Sequence, residues 1–228
     1  MRSVEAGQLG ALALVGGVRA GALQESRDRV PRMRREGRAV SENEPMAIGL
    51  VRPAKGEVLH FSEDPHITSF EPHVAATAQQ PEAYVWAVDC KRAPDYWFPR
   101  ACPRVLTWGA PQTTPSDREQ FLGKTWRVHA IEYRWLPKLE STVLYAYRFA
   151  ASDFAPFGTP EPHARVATVA VHPLGPPEKV GSLLEAHEAA GIELRLLANL
   201  WPYWKQVSTS TLGFSGIRLR NALPDAEG

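Results

Sequence analysis

The chain has 228 residues, 44% of them hydrophobic and 22% charged, which is enough for one packed domain. A formal net charge of +1 argues against a large electrostatic surface for nucleic acid or for an anionic membrane, and it leaves room for local basic clusters. Two cysteines, Cys90 and Cys102, are too few for a disulfide scaffold and lack zinc-knuckle spacing. They favour reduced thiols in a cytoplasmic protein, with a single bridge between them as the alternative.

The N-terminal segment differs in composition from the rest of the chain. Every aromatic residue lies between Phe61 and Phe214, and residues 27–38 form a basic run. Such a segment buries too little apolar surface to offset its chain entropy, so we expect residues 1–45 to be a disordered or dispensable leader. Alternatives are a signal-peptide core at residues 9–23, which Arg19 interrupts, and nucleic-acid binding by the basic run. Residues 46–228 are predicted to form a single α+β domain.

The first half of that domain alternates strand-like and helix-like patterns. Apolar segments bounded by Pro- and Asp-rich turns predict strands at 57–61, 84–88 and 104–109. Residues 92–100 are predicted to form a helical turn that Pro99 stops. Residues 114–123 are predicted to form a short helix, with Thr114 as its cap and Gly123 at its end.

The second half continues in the same way. Tyr145, Tyr147 and Phe149 share one face of residues 142–150, the period of a strand, and residues 126–135 precede it. Residues 164–172 are apolar on both faces and predict a central strand. Residues 178–191 give the clearest helix, and a further strand-like alternation, a helix at 198–208 and a closing strand at 213–222 follow.

The sum is an α+β fold with a mixed or antiparallel sheet of roughly six to eight short strands and three or four short helices. No glycine-rich phosphate loop of either common spacing occurs, which argues against a Rossmann or P-loop enzyme.

Residues 58–73, VLHFSEDPHITSFEPH, concentrate histidines and carboxylates behind the first strand. Their spacing is not that of an established metal site, so no metal ligand is predicted. Ser62 has no nucleophile-elbow glycines around it and is predicted to cap a turn with Asp64. A hydrolase that uses this acidic and histidine-rich segment stays an alternative.

Two groups of residues are candidates for ligand binding. His60 lies within an apolar strand and is either a buried structural histidine or one that orients a ligand hydroxyl. Tyr96, Trp97 and Phe98 could form a stacking platform, with Arg100 and Arg104 available to a phosphate or carboxylate. The alternative is that these aromatic rings pack inside and the arginine stems cover them.

The blocks LHFSEDPHITSFEPH, VWAVD, YWFPRACPRV, LYAYRF and IRLRNA occur in this order over about residues 57–222. They resemble a bacterial family classed as a domain of unknown function, which implies no reaction. A more distant resemblance, to ADP-ribosyltransferase-like folds, covers His60 and Ser62 in the first block and Tyr96 in the second. It implies that the histidine holds a ribose of NAD, that the aromatic ring stacks on nicotinamide and that a carboxylate, here Glu132, assists transfer. The pair of glutamates typical of that superfamily is missing around Glu132.

These observations predict a small-molecule pocket near His60 and Tyr96. The transferase hypothesis makes His60, Tyr96 and Glu132 catalytic, with a nucleotide or NAD as the ligand and Ser62, Trp86, Arg100 and Arg104 as binding residues. The main alternative is a non-catalytic module that binds a small molecule or a protein. The protein is expected in the cytoplasm, without a membrane anchor and without a nucleic-acid partner.

Overall fold

The computed structural model describes residues 50–74, 82–159 and 161–225. The predicted leader, residues 1–45, lies outside the described residues. The strands are β1 Glu57–Ser62, β2 Val85–Ala87, β3 Arg104–Trp108, β4 Arg127–Glu132, β5 Tyr145–Ala150, β6 Ala155–Phe157, β7 Ala164–Ala167, β8 Glu178–Lys179, β9 Glu193–Leu197 and β10 Gly213–Ile217. The helices are α1 Pro115–Asp117, which continues as a π-helical turn Arg118–Leu122, α2 Leu136–Ser141, α3 Leu183–Ala189 and α4 Trp201–Ser208.

The strands form three sheets. Two are antiparallel, with the strand orders β1-β5-β8 and β2-β7-β6, and backbone hydrogen bonds of 2.8 Å between Leu59 and Val88 join them. The third has the order β10-β3-β4-β9, in which β4 and β9 are parallel and the other pairs antiparallel. Together with the helices, these sheets confirm the predicted α+β class.

Side chains on the two faces of the sheets define three layers. The central layer lies between the β1 sheet and the β3 sheet and contains Leu59, Leu106 and Ile131. The β1-side layer covers the other face of β1 and β5 and contains Val58, Phe70 and Phe149. The α4-side layer lies between the β3 sheet and α4 and contains Val105, Val128 and Val207. Because successive residues of a strand point to opposite faces, each strand supplies two layers.

Two predicted strands are shorter than expected. Within residues 164–172, β7 is central in its sheet, as predicted, but it ends at Ala167, and Val169 is 65% exposed. Its partners β2 and β6 have three residues each, and of the later residues Val171 forms an isolated antiparallel bridge with Phe70. The predicted closing strand at 213–222 ends at Ile217, because Arg218 takes a left-handed conformation and a 3-10 turn, Leu219–Asn221, follows.

Two helices also differ from the prediction. Residues 178–191 contain the short strand β8 before α3, and α3 begins only after Ser182, whose side chain accepts from the backbone N–H of Glu185. Helix α2 was not anticipated. The helix at 114–123 begins and ends where predicted, since Thr114 caps it and Gly123 follows it with φ 56°.

Cys90 is exposed, Cys102 is buried, and both are free thiols in this structure. In the described ranges, no helix combines the length and the apolar character needed to cross a bilayer.

Candidate functional site

Strand β1 divides its side chains between two layers. Leu59 and Phe61 point into the central layer, whereas His60 points into the β1-side layer and packs on Phe70, with ring centroids 4.8 Å apart. The Nδ1–H of His60 donates to the carbonyl of Trp86 at 2.8 Å. Burial lowers the pKa of His60 to about 4, and the charge of Arg100 adds to this effect. His60 is therefore a neutral cross-link between β1 and β2.

A pocket opens in the central layer beside β1, with about 370 Å³ of empty space counted together with the solvent at its mouth. We call it the Arg104 pocket. Seven of its nine lining residues are apolar or aromatic, and the other two are arginines. The residues that line it are Leu59, Phe61, Val88, Tyr96, Phe98, Pro99, Arg100, Arg104 and Leu144.

Arg104 is the buried charge of this pocket. Its side chain extends from β3 over the rings of Phe98 and Tyr96, at 4.9 and 5.5 Å from their centroids. Its Nε and Nη1 donate to the backbone carbonyls of Asp95 and Cys102, at 2.8 and 2.9 Å. Although Arg104 is only 4% exposed, the nearby carboxylate of Asp95 pairs with Arg127 and Arg92 instead. Burial lowers the pKa of Arg104, as expected of a cation held mainly by backbone dipoles.

The aromatic run 96–98 divides between the two expected roles. Trp97 is fully buried in the central layer, as the packing alternative predicts. Tyr96 and Phe98 line the Arg104 pocket. Trp86 packs against Phe157 and Tyr84, with ring centroids 4.9 and 5.7 Å away, in a small aromatic cluster that Tyr96 also contacts.

Glu132 lies away from this pocket. It is fully buried on the face of β4 that carries Val128 and Ala130, in the α4-side layer. One carboxylate oxygen accepts from the backbone N–H groups of Leu223 and Leu200, and the other accepts from Arg134 Nε at 2.8 Å. His60, Tyr96 and Glu132 thus lie in three different layers, and the structure does not bring them into one pocket.

Residues 62–66 of the 58–73 segment form a turn directly after β1. Ser62 Oγ accepts from the backbone N–H of Asp64 at 3.1 Å, and Asp64 Oδ1 accepts from that of His66 at 2.8 Å, as predicted for a capped turn. Glu63 accepts from the backbone N–H of Arg100 and so ties this turn to the mouth of the Arg104 pocket. Within the described ranges, no three His, Cys, Asp or Glu side chains are grouped as metal ligands.

A buried polar network beside the pocket was missed by the sequence interpretation. Asp95 pairs with Arg127, Arg127 Nε donates to His129 Nε2 at 2.8 Å, and His129 Nδ1 lies 3.0 Å from His187 Nε2. All four side chains are buried. Arg127 and His129 share one face of β4 with the core residue Ile131, and this spacing of two could have indicated that these polar groups face the interior.

Comparison with known proteins gives one result. No curated protein and no solved structure matches the chain, so the resemblance to ADP-ribosyltransferase-like folds gains no support. A family model matches residues 59–222, nearly the same range as the blocks that carry the first resemblance. The chain therefore belongs to DUF6886, a family of unknown function.

Proposed function

We propose that this protein binds a small molecule with an anionic group, phosphate or carboxylate, in the Arg104 pocket. The observation that carries this proposal is the guanidinium of Arg104, which is buried at the pocket wall while both of its hydrogen bonds go to backbone carbonyls. A buried cation is costly unless a counter-charge accompanies it, and a ligand anion would supply that charge.

The walls suggest what the rest of the ligand is like. Tyr96 and Phe98 lie beside the guanidinium, and Leu59, Phe61 and Leu144 are apolar residues of the same lining. A pocket lined by aromatic and apolar residues together with two guanidinium groups suits a ligand that joins a planar or apolar part to one charged group. Nucleotides are one class of molecule with this character.

Binding without catalysis is favoured over the transferase and hydrolase hypotheses. Transfer from NAD needs ribose positioning, ring stacking and a carboxylate at one reacting centre. His60 and Glu132 already have hydrogen-bond partners within the protein in other layers. Ser62 caps a turn through its hydrogen bond with the backbone of Asp64. The binding role therefore rests on Tyr96, Arg100 and Arg104, with Phe98 added.

The test is calorimetric titration of the full chain with phenyl phosphate, benzoate, AMP and NAD. We expect at least one of them to bind, and Arg104→Gln to weaken that binding by about tenfold or more, since a charge-assisted contact is lost. Arg195→Gln is the matched control, because Arg195 pairs with Glu193 and lies beside Tyr203 in the α4-side layer. It should bind as the wild type does.

A second measurement does not depend on any variant. If the ligand occupies the Arg104 pocket, it should slow amide hydrogen exchange within residues 96–104 of the wild-type protein and leave α4 unchanged. The proposal is overturned if none of the four compounds binds at millimolar concentration. It is equally overturned if binding protects some other region.

A further inference from the structure

The Arg104 pocket is largely enclosed. Tyr96 is half-buried and Arg100 is exposed, whereas the other seven lining residues are buried. The empty space of about 370 Å³ includes the solvent at the mouth, so the enclosed part is smaller. Pockets for drug-sized ligands usually measure about 300–1,000 Å³. The enclosed part of this pocket therefore lies at or below the lower end of that range, which limits the size of the ligand.

The lining supplies one buried positive charge. Arg104 is buried, whereas Arg100 is exposed and the solvent screens its charge. A bound anion is itself removed from water, so each negative charge that it carries needs a buried counter-charge. Arg104 matches one such charge, but the second charge of a phosphate monoester would stay unmatched inside the pocket. The lining therefore favours an anion with a single charge.

The hydrogen bonds of Arg104 determine which nitrogen meets that anion. Nε donates to the carbonyl of Asp95 and Nη1 to that of Cys102, and in the part of the chain that the structure describes these are its side-chain hydrogen bonds. Nη2 keeps both of its N–H groups for a ligand. The two carbonyls hold the guanidinium in place before a ligand arrives, which lowers the entropic cost of binding.

The rest of the wall determines which organic part fits. The guanidinium of Arg104 lies over the ring of Phe98, and the same ring packs on His187, with centroids 4.9 Å apart. Because these contacts already occupy the ring, a ligand gains less from stacking on Phe98 than from apolar contact with Leu59 and Leu144. Apolar contact of this kind is available to a short chain as well as to a single ring.

We infer that the ligand of the Arg104 pocket is a small monocarboxylate, whose carboxylate accepts from Nη2 of Arg104 and whose organic part is one ring or a short chain. The inference rests on the proposed function and narrows its ligands to one class. It sets nucleotides aside, because they are larger than such an acid and their phosphate monoester carries more than one charge.

Three acids separate charge from size in calorimetric titrations of the full chain at about pH 8. Benzoate and phenyl phosphate carry the same ring, but the second pKa of the monoester is about 6, so it is doubly charged at this pH. Benzoate and biphenyl-4-carboxylate carry the same anionic group and differ by one ring. We expect benzoate to bind about tenfold or more tightly than each of the others, and Arg104→Gln to weaken its binding by about tenfold or more.

Leu144→Ala tests the size limit. Removal of this side chain from the wall should reduce the preference for benzoate over biphenyl-4-carboxylate to about threefold or less. Leu183→Ala is the matched control, because Leu183 is a similarly buried leucine of the central layer that does not line the pocket. It should keep the wild-type preference. If either alanine variant fails to fold, the two valine variants give the same comparison with a smaller shift.

The outcomes separate this inference from the function on which it rests. Phenyl phosphate binding as tightly as benzoate would overturn the inference, and so would equal binding of benzoate and biphenyl-4-carboxylate. The ligand-binding function would stand in both cases, since the pocket still binds an anion. An unchanged size preference in a folded Leu144 variant would also overturn the inference. If none of the three acids binds at millimolar concentration, the inference and the proposed function both fail.

Discussion

The imidazole of His129 donates its Nδ1–H to Nε2 of His187, 3.0 Å away, between β4 and α3. The direction follows from the neighbours. Arg127 donates to His129 Nε2, so the proton of the neutral His129 ring is on Nδ1. His187 Nδ1 must donate to the carbonyl of Leu183, 2.7 Å away, so its Nε2 is an acceptor. Both rings are neutral, in agreement with the lowered pKa that burial gives each of them.

The bond between these histidines should contribute to stability. His187→Leu leaves the Nδ1–H of His129 buried without an acceptor, and we expect it to lower the free energy of unfolding by about 1–3 kcal/mol. His187→Gln can present an oxygen in place of Nε2, so its free energy of unfolding should decrease by less. Urea denaturation of both variants measures the difference. Equal stability of the leucine variant and the wild type would contradict this role.

The buried histidines should make stability depend on pH. In the folded protein burial lowers the pKa of His60 and His187 to about 4 from the usual 6.5, so between these values the unfolded chain binds more protons. The contribution of these histidines to the free energy of unfolding is therefore fully present above about pH 6.5. It is lost as the pH decreases toward 4, by on the order of 3 kcal/mol for each histidine.

The pH range from 4.5 to 6.5 isolates this effect. The carboxylates whose pKa is lowered, such as Glu57 and Asp117, lose their contribution only below their usual values of 4.5 and 3.8. Urea midpoints measured from pH 7 to 4.5 should fall steadily. The double variant His60→Gln, His187→Gln should have a shallower slope, and an unchanged slope would mean that these rings do not titrate on unfolding.

Glu132 should matter for stability and leave ligand binding unaffected. Glu132→Ala removes the acceptor for the backbone N–H groups of Leu200 and Leu223 and should cost about 2–4 kcal/mol, whereas Glu132→Gln should cost about 1 kcal/mol. Glu140→Gln, at an exposed position of α2, is the control and should be neutral. Affinity in the Arg104 pocket, measured by calorimetry, should be unchanged in Glu132→Gln. Loss of binding in a folded Glu132→Gln protein would instead favour the transferase assignment of this carboxylate.

The backbone at Arg218 should be strained by its left-handed conformation. Arg218→Gly and Arg218→Ala both remove the guanidinium, but only glycine is unstrained at φ 58°. We expect the free energy of unfolding of the glycine variant to exceed that of the alanine variant by about 1 kcal/mol, as measured by thermal or urea denaturation. A glycine variant no more stable than the alanine variant would show that the backbone here is not strained.

The local sequence was sufficient to predict several structural features of this protein. The alternation of β1 and β5 and the cap of α1 by Thr114 were predictable because they involve neighbours in the chain. The same holds for the Ser62 turn. Part of the Arg104 pocket was also predictable, since Tyr96, Phe98, Arg100 and Arg104 come from one stretch and bring aromatic surface and charge together by proximity in sequence alone.

Only the tertiary structure decided which layer each face meets. Period-two alternation places His60 and Leu59 on opposite faces of β1. It cannot tell which of these two faces Tyr96 contacts. The contact of His129 with His187, 58 residues later, and the position of Ile217 opposite Arg104 depend on how distant segments pair and pack. A side chain's direction is a local property of the backbone, whereas its surroundings depend on packing between segments far apart in the chain.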